Sequence, residues 1–191
     1  MNNDPFLQFG AWYEHAQNAG FREPNAMSLA TADANAHPSV RMVLLRGWDR
    51  EGFTFYTNYE SRKGEDLASN PHAALLFFLD KLSRQIRIEG TIEKLSSAES
   101  DAYYESRPRG HRIAAWASAQ SRKIQSREAL EAKVTEIEAR FPGEIPRPPY
   151  WGGYRVRPER FEFWEGRPNR LHDRFVYRRN GEVWLVERLA P

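Results

Sequence analysis

Short β-like runs joined by tight turns, with helical segments inserted at two places, predict a small antiparallel β-barrel decorated by peripheral helices, an α+β chain that is mainly β. Three observations carry this expectation. Six or more runs have strand patterning, the turns between most of them are short, and strands do not alternate regularly with helices. The last point argues against a doubly wound parallel sheet. A length of 191 residues suits one domain with a substantial core, so a single domain over 1–191 is expected.

The elements follow in order. Asp4 can cap a helix, Pro5 suits its first turn, and Phe6, Phe9, Trp12, Tyr13 and Ala16 recur at helical spacing, so a helix is expected over about 5–19. Strand-like runs at Ala26–Thr31, Ser39–Trp48 and Phe53–Asn58, separated by DANAHP and DREG, read as a meander. Ser61–Ser69 is a short helix stopped by Asn70-Pro71. Ala73–Leu79 is an apolar strand. Arg84–Lys94 alternates Ile86, Ile88 and Ile92 with Arg87, Glu89 and Glu93, which gives it one dry face and one wet face.

Ser96 and Glu99 form a capping box that opens a helical insertion over about 96–140. A second helical stretch lies around Ile113–Ser118. A third, Arg127–Arg140, places Leu130, Val134, Ile137 and Phe141 on one side. The stiff connector PGEIPRPP leads back to strands over about 151–191: Trp151–Arg157, Arg160–Trp164, Arg170–Tyr177 and Glu182–Arg188. The last two meet at Asn180-Gly181, a type I′ hairpin signal.

Composition excludes several functions. Without cysteine there are no disulfides, thiolate metal sites, iron–sulfur clusters or cysteine nucleophiles. No apolar run is long enough for a membrane helix, and the first residues lack the basic-then-apolar order of a secretory signal. A cytoplasmic protein with no membrane partner is expected. No nucleic-acid partner is expected either, because 28 basic residues face 26 acidic ones. The basic residues are 23 arginines and only 5 lysines, an excess that coding bias explains more readily than anion binding. The glycine-rich nucleotide loops, H-E-x-x-H and G-x-S-x-G are all absent. His15, His37, His72, His111 and His172 have no metal-ligand spacing, so no metal is expected.

What remains is a set of arginine-rich clusters. Arg41 and Arg46 end an apolar run and point to opposite faces unless the strand bends; alone, the run reads as a core strand with solvated ends. Tyr56-Thr57-Asn58 leads into Ser61-Arg62-Lys63, which is either a phosphate cradle at a helix N-terminus or an ordinary capped helix with basic surface residues. Tyr103, Arg107, Arg109 and His111 form a third cluster and Gln120-Ser121-Arg122-Lys123 a fourth, each also readable as a solvated helix end. In the fifth, alternation along a strand would align Arg170, His172 and Arg174 on one face, where an anionic ligand or acidic neighbours such as Glu162 or Glu165 must offset them.

The runs RMVLLR, FYTNYESRKG, SRPRG, AWASAQS, EFWEGRPNRLHDR and ERLAP, in this order over nearly the whole chain, resemble the pyridoxine/pyridoxamine 5′-phosphate oxidase family. The resemblance implies a homodimeric split β-barrel with FMN bound between the subunits. It also implies oxidation of pyridoxine 5′-phosphate or pyridoxamine 5′-phosphate to pyridoxal 5′-phosphate. Hydride would pass from substrate C4′ to flavin N5, with O2 as acceptor and H2O2 as product.

Carried over by position, the FMN contacts would be Arg41, Met42, Val43, Leu44, Leu45, Tyr56, Thr57, Arg62, Lys63, Gln85, Gln120, Ser121, Trp164 and Arg174. The substrate contacts would be Arg46, Tyr103, Arg107, His111, Arg170 and His172, with Arg170 and His172 as the catalytic pair. Arg46 stands where the family usually has lysine and His111 where it usually has serine, which puts substrate preference and turnover in question. The chain starts almost at its first helix, so the basic arm that covers the substrate in some members would be shortened, with poorer exclusion of water. Two other functions fit the same frame. One is a related flavin oxidase acting on a dihydrophenazine-like aromatic; the other is a non-catalytic FMN- or pyridoxal-phosphate-binding module.

Overall fold

The computed structural model describes residues 1–191 and contains five helices and one sheet of nine strands, every pairing antiparallel. Helix α1 (Pro5–Asn18) precedes β1 (Ala26–Ala32), β2 (Pro38–Leu44), β3 (Gly47–Asp49) and β4 (Gly52–Asn58). Helix α2 (Arg62–Ser69) leads to β5 (His72–Leu79) and β6 (Arg84–Lys94). Helices α3 (Ser97–Ser106), α4 (Arg109–Ala117) and α5 (Arg127–Arg140) form the insertion, and β7 (Trp151–Glu165), β8 (Asp173–Asn180) and β9 (Val183–Leu189) close the chain. The strands run β2-β1-β5-β6-β7-β4-β3, with β8 paired to β7 and β9 to β8. This curled antiparallel sheet with peripheral helices is the expected α+β architecture.

The core follows from the alternation. Met27, Leu29, Phe53, Phe55, Leu75, Phe77, Ile86, Ile88, Phe161 and Phe163 all point inward. Helix α1 adds Phe6, edge-on to Phe161 with centroids 5.3 Å apart, and Phe9, edge-on to Phe53 at 4.8 Å. Asp4 caps that helix through the backbone N–H groups of Phe6 and Leu7. A smaller core of Ile113, Ala117, Ile137 and Ile145 holds α4 against α5. No helix is long and apolar enough to cross a membrane.

Five boundaries differ from the sequence expectation. The run Ser39–Trp48 breaks at Leu45–Arg46 into β2 and β3, because Leu45 turns into the core while its N–H donates to the Asn25 carbonyl. The expected strands Trp151–Arg157 and Arg160–Trp164 are one strand. A register shift between Glu89 and Gly90 on β6 accommodates Pro158, and a side chain at Gly90 would collide with the Arg157 carbonyl. Strand β8 begins at Asp173, so Arg170 lies in a 3-10 turn (Pro168–Arg170) and not on a strand. The final hairpin turns at Gly181-Glu182, with Asn180 paired to Val183. Only Gly181 takes a positive φ, +60°, whereas type I′ requires positive φ at both central residues. The stretch expected near Ile113–Ser118 is helix α4, which starts earlier, at Arg109.

Candidate functional site

Strands β2 and β4, the first turn of α2, and helices α3 and α4 enclose a cavity of about 730 Å³. Arg41, Met42, Val43, Leu44, Arg46, Tyr56, Thr57, Lys63, Tyr103, Arg107, His111 and Gln120 line it. The break after β2 lets Arg41 and Arg46 face one cavity although an unbroken strand would turn them to opposite faces. The run is not a core strand: Val40 and Met42 are exposed. No acidic side chain lines the cavity, while four cationic ones do, Arg41, Arg46, Lys63 and Arg107.

Lys63 and Arg41 are the best-anchored of the four. Gly64 allows α2 to press against the Tyr59 carbonyl, where any side chain would clash. Lys63, buried in that first turn, donates from Nζ to Gln120 Oε1 (2.8 Å), Thr57 Oγ1 (3.2 Å) and Ser61 Oγ (3.3 Å). Burial, aided by the neighbouring Arg41, pushes its pKa down to about 8. Arg41 donates to Thr31 Oγ1 (2.7 Å) and the Leu29 carbonyl (3.2 Å), contacts Ser39, and lies 3.6 Å from the buried Asp66 carboxylate.

Three nearly parallel rings form the opposite wall. Tyr56 and Tyr103 stack with centroids 3.8 Å apart, and Trp151 lies 5.7 Å from Tyr56 and 6.2 Å from Tyr103. Arg107, at the C-terminal end of α3, sits over Trp151 at 4.5 Å, and Arg46 over Tyr103 at 5.9 Å. Arg107 Nη1 is buried with no hydrogen-bond partner. A buried donor without an acceptor is costly, so this atom marks where an anionic oxygen fits. The site chemistry therefore suits an anionic ligand.

The remaining residues lie elsewhere. Gln85, Trp164 and Arg174 form one cross-strand row over β6, β7 and β8. The Trp164 and His172 rings approach to 4.6 Å and line a second, separate cavity with Phe78 and Arg167. His172 Nδ1 accepts the Arg167 backbone N–H at 3.1 Å, so in the neutral ring the proton is on Nε2. Arg170 is exposed, and both it (φ +61°) and Asn169 (φ +58°) occupy the left-handed region, a strain of about 1 kcal/mol each. Arg170, His172 and Arg174 therefore do not share a strand face. The buried carboxylate of Glu162 offsets Arg174, accepting its Nε at 2.9 Å and Nη2 at 2.8 Å. Arg62 and Ser121 are exposed and lie outside the first cavity's lining, and the Leu45 side chain belongs to the core.

Several lining residues are not among the contacts expected from the sequence: Asn58, Ser106, Ser118 and, above all, Trp151. Trp151 only opens a strand in sequence; its relation to Arg107 exists in three dimensions alone.

Residues 13–141 match the family described as pyridoxamine 5′-phosphate oxidase. Residues 151–191 match the pyridoxine 5′-phosphate oxidase C-terminal dimerisation region, which supports a homodimer. The chain is 57% identical over 189 residues to a pyridoxine/pyridoxamine 5′-phosphate oxidase of Rubrobacter xylanophilus, covering 98% of this chain and 87% of that one. It is 58% identical over 188 residues to the protein of that name from Bordetella avium, covering 98% and 89%. Among solved structures, PhzG from Burkholderia lata 383 in complex with tetrahydrophenazine-1-carboxylic acid is 34% identical, with a TM-score of 0.94 over 100% of this chain and 94% of that one. A pyridoxamine 5′-phosphate oxidase-related, FMN-binding protein of Nostoc punctiforme, 20% identical, shares the fold with a TM-score of 0.77 over 100% of both chains.

Proposed function

This chain belongs to the pyridoxamine 5′-phosphate oxidase family, and on that premise we propose that it oxidises pyridoxine 5′-phosphate or pyridoxamine 5′-phosphate to pyridoxal 5′-phosphate, with O2 as acceptor and H2O2 as product. The observation that carries this reading is the acid-free cavity in which a buried Arg107 Nη1 lacks an acceptor beside Tyr103, Arg46 and Lys63. FMN, when bound, supplies the two-electron acceptor for hydride leaving substrate C4′.

The chain's own residues do the positioning. Lys63, Thr57 and Gln120, with Arg41 behind them, hold the cofactor phosphate, to which Arg62 and Ser121, exposed outside the lining, would add donors from the surface; Met42, Val43, Leu44 and Tyr56 lie alongside it. Arg46, Tyr103, Arg107 and His111 donate to the substrate phosphate. Gln85, Trp164 and Arg174 face the flavin ring from their cross-strand row, and Arg170 and His172 orient the substrate ring. The cavity and this row lie on separate parts of one chain, so we infer that each active site combines the cavity of one subunit with the row of its partner. Exposed Met42 beside the first cavity and exposed Phe78 beside the second give the apolar contact such pairing needs. We place the reaction in the cytoplasm, in keeping with a chain that has no cysteine.

A second reading follows from the likeness to PhzG: oxidation of a reduced phenazine carboxylic acid. Retention of Tyr103, Arg107 and a cation at Arg46 favours the phosphate ester. The test is a flavin spectrum of the purified protein, followed by anaerobic addition of each candidate substrate. Bleaching by pyridoxine 5′-phosphate that reverses in air with release of peroxide is the expected result. Flavin reduced only by the phenazine acid supports the second reading, and flavin reduced by neither leaves a binding module.

A further inference from the structure

Arginines in this protein are mostly held by carboxylates, which neutralise them; Arg84, Arg87, Arg147, Arg155, Arg157, Arg160 and Arg174 are all of this kind, although Arg87 Nε and Arg155 Nε are themselves buried without a hydrogen-bond partner. Arg107 is held differently. Its guanidinium lies 4.5 Å over the Trp151 ring and 5.9 Å over Tyr104, and its enclosed Nη1 has no partner. The negative face of an indole attracts a cation without accepting its in-plane N–H groups, so charge and donors both stay available to a ligand.

The Trp151 ring is itself fixed in place. It is buried at the start of β7, opposite Asn58, parallel to Tyr103 within 5° and to Tyr56 within 14°, with Tyr104 edge-on at 5.2 Å. Rotation of the indole would break these contacts, and the plane on which Arg107 rests therefore does not drift.

We propose that Trp151 is a positioning residue for phosphate recognition, a rigid platform that aims the Arg107 guanidinium into the cavity with its donors unoccupied. The proposal rests on the reading that Arg107 binds the substrate phosphate. It assigns to Trp151 a role exercised through the Arg107 guanidinium. Because the platform acts through Arg107, its loss weakens the phosphate ligand and acts far less on the chemical step.

The test measures the dissociation constant of pyridoxal 5′-phosphate by fluorescence titration of the FMN-loaded protein, together with KM and kcat for pyridoxine 5′-phosphate. The variants are Trp151→Leu, Trp151→Phe, Arg107→Ala and the Arg107→Ala/Trp151→Leu double variant. Trp151→Leu is expected to raise the dissociation constant and KM about tenfold, with a smaller change in kcat, and Trp151→Phe, which keeps a flat but weaker ring, about threefold. In the Arg107→Ala background the leucine substitution should add less than about twofold, the mark of action through Arg107.

Full additivity in the double variant, or an unchanged dissociation constant in both Trp151 variants, overturns the proposal and leaves the phosphate reading intact if Arg107→Ala still weakens binding. Should Trp151→Leu fail to load FMN, the phenylalanine variant decides alone, and a wild-type constant there overturns the platform. A wild-type protein that does not bind pyridoxal 5′-phosphate, or binding indifferent to Arg107→Ala, overturns the underlying reading and the proposal with it.

Discussion

On the outer face of β6, β7 and β8, three guanidiniums converge on the carboxylate of Glu162, whereas in the cavity below α3 and α4 four cations meet no carboxylate along the lining. Glu162, only 2% exposed, takes Arg174 on Oε1 and both Arg87 (2.8 Å) and Arg160 (3.1 Å) on Oε2; Glu89 takes Arg87 and Arg160 as well, at 2.8 and 2.6 Å. Burial pushes the Glu162 carboxyl up, but the three arginines outweigh it and hold the carboxyl below the usual range. In the cavity, by contrast, burial lowers the pKa of Arg41, Lys63 and Arg107; Arg62 adds to this at Arg41, Arg41 at Lys63 and Arg46 at Arg107, while Asp66 opposes it at Arg41 and Tyr103 and Tyr104 oppose it at Arg107. The same residue type serves two ends, and the acids nearby separate them. A compensated cluster ties strands together; an uncompensated one holds a repulsion that an incoming anion relieves.

The largest test of this contrast is in stability. Glu162→Ala leaves three arginines around an empty buried position and should cost about 3 kcal/mol, read by calorimetry as a fall of roughly 6–12 °C in Tm. Arg107→Ala, removing a cation that repels its neighbours, should leave the ligand-free protein as stable as the parent or more so. A comparable loss in both variants would break the distinction.

A smaller effect is expected with pH. The folded pKa of Lys63, about 8, lies below the unfolded value of 10.5, so between these values the unfolded chain holds a proton that the folded chain has released. Stability of the ligand-free protein should therefore rise with pH in that window, by at most about 1.4 kcal/mol per pH unit, and Lys63→Met should flatten the rise in urea unfolding curves. Affinity for an anion should move the other way and fall above pH 8, because the uncharged amine no longer attracts it. The smallest effect is that of inorganic phosphate on the ligand-free protein, a gain of about 1 kcal/mol at several times its dissociation constant. Chloride at equal ionic strength should not reproduce that gain, and Arg107→Ala should diminish it.

Much of the fold is legible in the chain because its causes are local. Asp4, the Ser96 and Glu99 box, and the alternation of Ile86 and Ile88 each act within a few residues of their own position. The strand boundaries around Leu45 and Pro158 are not legible, since the first depends on a core that receives Leu45 and the second on a register shift against β6 that leaves Glu159 of β7 unpaired. Arg170 shows the same limit. Alternation would put it on a strand with His172, yet two consecutive left-handed residues lift it out of the sheet.

By itself, the sequence determined the antiparallel, mainly β class through its strand and turn patterning, the family through the order of its motifs, and the cationic residue types available to an anion. Tertiary structure decided which of those cations are free to bind. Patterning fixes the face a side chain takes on its own element, but the charge that cancels it, or the ring that supports it, arrives from residues far away in the chain: Glu162 for Arg87, Gln120 for Lys63, Trp151 for Arg107.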